Sequence, residues 1–275
     1  MTTKPGKTGA RRCISCQGMM RRSYDKAVEI KPDDYEAWYN RGIALDELSR
    51  YDEALASYDK VVEIKPDDHD AWYNRGIALY QLSRYDEAFA SYDKAVEIKP
   101  DDHDAWWHRG YALYQLSRYD EAITSYDKVI EIKPDLDSAW NNRGSALYQL
   151  SRYDEALASY DKAIEIKPDS HEAWNNRGNA LYQLSRHDET LASFDKAIEI
   201  KPDFHEAWNN RGIALYQLSR HDEALASYDK AIEIKPDIHE AWNNRSKVLY
   251  QLSRHDKALA SYDKAIEIKR DDHDA

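Results

Sequence analysis

Residues 69–102 read His69-Asp70-Ala71-Trp72-Tyr73-Asn74-Arg75-Gly76-Ile77-Ala78-Leu79-Tyr80-Gln81-Leu82-Ser83-Arg84-Tyr85-Asp86-Glu87-Ala88-Phe89-Ala90-Ser91-Tyr92-Asp93-Lys94-Ala95-Val96-Glu97-Ile98-Lys99-Pro100-Asp101-Asp102. Trp72, Gly76, Leu79 and Leu82 stand four, three and three residues apart, which marks one face of an α-helix and not the alternating face of a strand. The spacing predicts a first helix from His69 to Ser83. Ala88, Phe89, Tyr92, Ala95 and Val96 again gather on one helical face and predict a second helix from Asp86 to Lys99. Pro100 has no N–H to donate and disfavours helical geometry at Lys99, so the second helix stops there. Asp101 and Asp102 then offer a cap and negative charge to the next helix, and Asp86 and Glu87 are expected to do the same for the second helix. The short connection from Ser83 to Tyr85 makes the two helices an antiparallel pair.

The same text recurs along the chain. Pro32, Pro66, Pro100, Pro134, Pro168, Pro202 and Pro236 are 34 residues apart, and so are Trp38, Trp72, Trp106, Trp140, Trp174, Trp208 and Trp242. A fixed period of this length denotes stacked supersecondary units. Seven full units follow: 35–68, 69–102, 103–136, 137–170, 171–204, 205–238 and 239–272. Below, position 1 is the first residue of a unit, so that Gly76 occupies position 8. Glycine inside a helix costs about 1 kcal/mol against alanine. Its return at position 8 in six of the seven units, with Ser246 in the last, implies that close packing offsets the cost. Gly76 and Ala78 are expected to face Ala88 and Ala95.

This unit resembles the tetratricopeptide repeat. In residues 35–68 the resemblance is carried by Trp38, Gly42, Ala54, Tyr58 and Pro66 at the family spacing. Arg41 stands where the family has Leu and Leu45 where it has Tyr, and both departures recur in every unit. The resemblance implies an all-α fold, a right-handed superhelical solenoid of seven antiparallel helix pairs. First helices would line a concave groove and second helices the convex back.

The ends depart from the repeat. Residues 1–18 are expected to be a disordered or eroded tail. Residues 19–34 align with a second helix alone and are expected to cap the array. Near the other end Arg270 replaces the proline, and residues 273–275 read as the start of a further unit. A last helix from about Asp256 to Lys269 is expected to expose an apolar stripe with Leu259, Tyr262 and Ile266, because solenoid ends need a polar cap.

The resemblance places positions 2, 5, 6, 9, 12 and 13 towards the groove. Position 6 is Asn40, Asn74, His108, Asn142, Asn176, Asn210 and Asn244. An amide both donates and accepts, so this ladder can pair with the backbone of an extended peptide without reading its sequence. Position 5 is aromatic in the first three units, Tyr39, Tyr73 and Trp107, and such rings anchor interfaces. It is Asn141, Asn175, Asn209 and Asn243 in the other four. Position 2 is acidic in six units and serine (Ser138) in the fourth, which favours a guest carrying Lys or Arg. The arginines at position 7, beside each glycine, read as ion-pair partners of neighbouring helices.

The formal net charge of −12 opposes contact with phosphate backbones and anionic membrane surfaces. No apolar run approaches the length of a membrane span or a secretory leader. The only cysteines, Cys13 and Cys16, give half a zinc site and no disulfide framework. The histidines mostly recur one per repeat, too far apart for one metal. No phosphate loop, nucleophile elbow or HExxH pattern is present. The chain is therefore expected to be a cytoplasmic scaffold and not an enzyme, with no cofactor, no metal, and neither nucleic acid nor membrane as partner. Its expected partner is a protein or peptide, of basic character. Two further readings are a homo-oligomer stacked end to end and the regulatory repeat region of a larger multidomain protein.

Overall fold

The structure, a computed structural model, describes residues 23–274. The expectations for residues 1–18, with Cys13 and Cys16, and for residues 19–22 and 275 lie outside the described residues. Every regular element among those described is a helix, and none is long and apolar enough to cross a membrane. The chain divides into two compact units, Met1–Ile132 and Lys133–Ala275. The first holds α1 (residues 23–30), α2 (Tyr35–Asp46), α3 (Tyr51–Ile64), α4 (His69–Gln81), α5 (Tyr85–Ile98), α6 (His103–Gln115) and α7 (Tyr119–Ile132). The second holds α8 (Asp137–Gln149), α9 (Tyr153–Ile166), α10 (His171–Gln183), α11 (His187–Ile200), α12 (His205–Gln217), α13 (His221–Ile234), α14 (His239–Gln251) and α15 (His255–Asp274). Even-numbered helices from α2 on pair with the next odd-numbered one, and each second helix packs on the following first helix within its unit. The fold is an all-helical solenoid of repeats. Successive first helices also approach one another, α4 to α6 in the first unit and α10 to α12 to α14 in the second, so the first helices form the inner side of each.

The caps follow the sequence in part. Asp68 accepts the Ala71 amide at 3.0 Å, and Asp34, Asp102 and Ser170 do likewise for α2, α6 and α10. Leu136, Phe204 and Ile238 precede α8, α12 and α14 and give no side-chain cap. Asp86 and Glu87 do not cap α5, contrary to expectation. The capping position is Arg84, and the acidic pair lies inside the first turn, where its charge meets the helix dipole. There Arg84 donates twice to Glu87, each bond 2.7 Å.

The turn between paired helices uses a backbone state that its sequence does not advertise. Ser49, Ser83, Ser117, Ser151, Ser185, Ser219 and Ser253 all have φ between 56° and 59°. This left-handed residue lets the Arg84 amide reach back to the Leu79 carbonyl at 2.9 Å and close the helix end. The first helix consequently ends at Gln81, two residues before the expected Ser83.

The core is a repeating lattice of leucine, tyrosine and alanine. Leu79, Leu113, Leu147, Leu181 and Leu215 are fully buried, with Tyr92, Tyr126 and Phe194 from the second helices. Position 8 meets these rings. A Cβ on Gly76 would lie 2.5 Å from Tyr92 Cε1, and one on Gly212 would lie 2.6 Å from Tyr228 Cε1. The glycines thus make room for an aromatic edge, while Ala78 shares a buried cluster with Ala88 as expected. Trp72 turns back on its own linker and donates from Nε1 to the Pro66 carbonyl at 2.8 Å, an arrangement repeated by all seven tryptophans of the period.

The arginines join three helices, as their spacing suggested. Arg75 on α4 donates from Nε to Asp59 on α3 at 2.7 Å and from Nη1 to Ser91 on α5 at 2.6 Å. Arg211 does the same with Asp195 and Ser227. Each of these two guanidinium groups therefore ties a repeat both to itself and to its predecessor. Finally, α15 does not stop near Lys269 but continues to Asp274, because Arg270 keeps the backbone donor that proline would remove. Leu259 and Ile266 are exposed on it, whereas Tyr262 is half-buried.

Candidate functional site

Successive first helices meet within each unit through positions 5 and 6, and further along through positions 9, 12 and 13, as in Tyr80 against Tyr111 and Gln183 against Tyr148. A residue at position 6 lies beside position 5 of the preceding repeat, 35 residues earlier, because stacked helices are offset by about one residue. In the first unit Asn74 donates from Nδ2 to the Tyr39 hydroxyl at 2.9 Å. His108 takes the equivalent place against Tyr73, with Nδ1 3.2 Å from its hydroxyl and 2.8 Å from the Asp104 carbonyl oxygen. In the second unit the rungs are amide to amide. Asn176 donates to Asn141 Oδ1 at 3.0 Å and Asn210 to Asn175 Oδ1 at 3.1 Å, and the longer Asn244 to Asn209 contact spans 3.5 Å.

The ladder therefore exists, and each described rung engages one of the two hydrogens of its Nδ2 group. Asn74, Asn176, Asn210 and Asn244 use their Nδ2 groups to bind the preceding repeat, where the sequence had them facing a guest. Asn40, with no described repeat before it, turns its Nδ2 to the Glu36 carbonyl at 2.8 Å. Asn142 is half-buried on α8. What sequence reasoning missed is the role of position 5 in the second unit. Asn175 and Asn209 are the acceptors and are buried, 7% and 8% exposed. The recurring amide pair at positions 5 and 6 carried the signal, had the offset between stacked helices been applied to it.

The two units present different chemistry. The first is aromatic. Tyr73 packs edge-on to His108 with centroids 5.2 Å apart, and Trp107 stacks on Tyr111 at 5.2 Å. Burial, with Asp104 and Asp102 nearby, pushes the Tyr73 hydroxyl above the usual phenol range. Burial also holds the His108 imidazole below its ordinary pKa, and the Asp104 carbonyl and the nearby carboxylates only partly oppose this. In the second unit a cavity of 440 Å³ opens among Asn175, His205, Glu206, Asn209, Asn210, Lys235, Asp237, Ile238, His239 and Glu240.

Among the described residues, Asp102, His103 and Asp104 place three potential ligand atoms close together. The Asp102 carboxylate is already occupied by the Asp104 and Ala105 amides, by Lys99 and by His69. Burial alone would raise its pKa, but these partners outweigh burial and lower it.

Tetratricopeptide-repeat models match residues 21–69, 50–103, 171–204, 205–238 and 239–272, and a TPR-repeat model matches 110–151 and 144–185. No curated protein sequence matches the chain. Among solved structures, YrrB, described as a TPR protein with an unusual peptide-binding site, is 26% identical over 68% of this chain and 96% of its own, with a TM-score of 0.61. A tetratricopeptide repeat protein from Parabacteroides merdae is 18% identical over 85% of this chain and 93% of its own, with a TM-score of 0.72. MamA is 22% identical over 60% of this chain and 97% of its own, with a TM-score of 0.55. The last two similarities concern the fold alone. The repeat matches reach from residue 21 to residue 272 over helix pairs of the same fold, and this chain belongs to the tetratricopeptide-repeat family.

Proposed function

We propose that the chain is a non-catalytic scaffold that holds an extended peptide segment of a partner protein along the inner side of its first helices. The observation that carries this reading is the row of buried and half-buried polar and aromatic groups at positions 5 and 6, which the ladder locks in place before any guest arrives. Preorganised groups lose little freedom on binding, so their contacts convert into affinity. Tyr73 and Trp107 would anchor apolar side chains in the first unit, and the amides of the second would pair with peptide backbone. The similarity to YrrB, whose description names a peptide-binding site, points the same way. The acidic position 2 residues favour basic guests.

The test is selection of random linear peptides displayed on phage against the wild type and against a variant with Asn142, Asn176 and Asn210 changed to Ala. Recovery of peptides by the wild type, and their loss by a variant that keeps its helical circular dichroism, is expected. Equal recovery by both proteins would remove the ladder as the binding device.

A second reading is self-assembly through α15, on which Leu259 and Ile266 are 62% and 59% exposed. Large apolar side chains left open together mark association surfaces. Sedimentation equilibrium decides it: a mass that rises with concentration supports the reading, and a constant monomer mass rejects it.

A further inference from the structure

The 440 Å³ cavity of the second unit lies against the first turns of α12 and α14, within the range of about 300–1,000 Å³ usual for ligand sites. It exists because position 5 is small here. Where the first unit carries Tyr39 and Tyr73, the second carries Asn175 and Asn209, and the volume of the missing rings is left open.

Two features of the lining specify an occupant. Asn175 and Asn209 are more than nine-tenths buried, and each amide oxygen accepts a bond from the following repeat. No partner among the described residues takes their Nδ2 hydrogens, and both side chains line the cavity. These hydrogens are open to the cavity, so a guest carbonyl entering it can accept from them. The second feature is charge. Glu206, Asp237 and Glu240 line the cavity together with the single ammonium of Lys235, an excess of two negative charges at its exposed rim. His205 holds Glu206 in place, with Nδ1 3.0 Å from its Oε2.

We infer that this cavity receives an arginine or lysine side chain of a bound peptide, with Glu206 and Glu240 taking the cation while Asn175 and Asn209 donate to the carbonyl oxygens beside it. The inference rests on the peptide-groove reading and adds the side chain that the second unit selects. Guanidinium pairs with carboxylate through two parallel bonds, so arginine is preferred to lysine.

The experiment uses the full chain and four peptides, N-acetylated and C-amidated, of sequence Ser-Thr-Val-Xaa-Val-Thr-Ser with Arg, Lys, Gln or Glu at Xaa. Calorimetry reads affinity, and nitrogen-edited NMR reads the side-chain amides of Asn175 and Asn209. The Arg peptide is expected to bind at least about tenfold more tightly than the Gln peptide, a difference of about 1.4 kcal/mol, and to shift both amides. Changing Glu206→Gln and Glu240→Gln together should bring the Arg peptide to the level of the Gln peptide. Asn209→Tyr, which restores the ring found at Tyr73, should fill the cavity and abolish the preference even if the paired glutamine variant folds poorly. Equal binding of the Arg and Gln peptides overturns the inference and leaves the groove reading standing. Binding of none of the four also overturns it, and the groove reading falls with it only if the displayed library yields no peptides either.

Discussion

Asn210 on α12 donates from Nδ2 to the Oδ1 of Asn175 on α10 at 3.1 Å, so an amide of one repeat is completed by its predecessor. Asn175→Ala would leave that donor facing a buried gap, and an unmet buried group costs about 1–3 kcal/mol. Urea melting should register a loss in this range. Asn210→Ala in the same background should cost much less than it does alone, because the pair has already been broken. Strict additivity of the two losses would mean that the rung holds nothing.

Gly212 and Tyr228 make the second prediction. Helix propensity favours alanine over glycine by about 1 kcal/mol. The added methyl carbon would sit 2.6 Å from Tyr228 Cε1, and overpacking of this kind costs about 1–3 kcal/mol. Gly212→Ala should therefore lower the thermal midpoint, and Tyr228→Leu should make the same change far less costly. A stabilised Gly212→Ala single variant would contradict the packing described above.

His108 sets the third. Its folded pKa is depressed, chiefly by burial, below an unfolded value of about 6.5. The unfolded chain therefore binds the proton more readily, and stability falls as pH drops from about 6.5 towards the depressed folded value. Above that window the contribution is constant. His108→Asn places at this position the residue that already pairs with a tyrosine hydroxyl in Asn74. The variant should lose part of the slope of midpoint against pH below about 6.5, and an unchanged slope would show that other groups carry it.

Ser219, with φ of 59°, provides the fourth. A left-handed conformation costs an L-residue about 1–2 kcal/mol and glycine almost nothing, although glycine is freer when unfolded. Ser219→Gly should raise stability by about 0.5–1 kcal/mol in urea melting. The effect should add when made at Ser185 as well, since the two turns share no partner.

The helix pairs were legible because their determinants lie within a few residues of one another. Trp72, Gly76 and Leu79 mark a face, and Pro100 blocks continuation whatever surrounds it. The arginine links were legible too, since a charge repeated beside a helix contact needs a partner. The serine turns were not, because serine carries no strong left-handed preference and only its recurrence hints at a special role. The partner of Gly76 was misread for a related reason. Helical spacing places a residue on a face but does not say whether the neighbour opposite is the methyl of Ala88 or the ring of Tyr92. The candidate site was half legible. Residues 74, 108, 176, 210 and 244 fall on the inner side, but their rungs depend on the register between separate repeats, which no single 34-residue unit contains. The importance of Asn175 and Asn209 follows from that same register.

Because every rung is assembled from two successive repeats, repeats cannot be shuffled freely. If residues 69–102 were exchanged for residues 205–238, Asn209 would stand where a phenol meets the His108 imidazole, whereas Tyr73 would meet the Asn244 amide as Tyr39 already meets Asn74. A recombined array therefore keeps the phenol–imidazole rung only where its two repeats stay adjacent, and that rung belongs to the junction and not to either repeat.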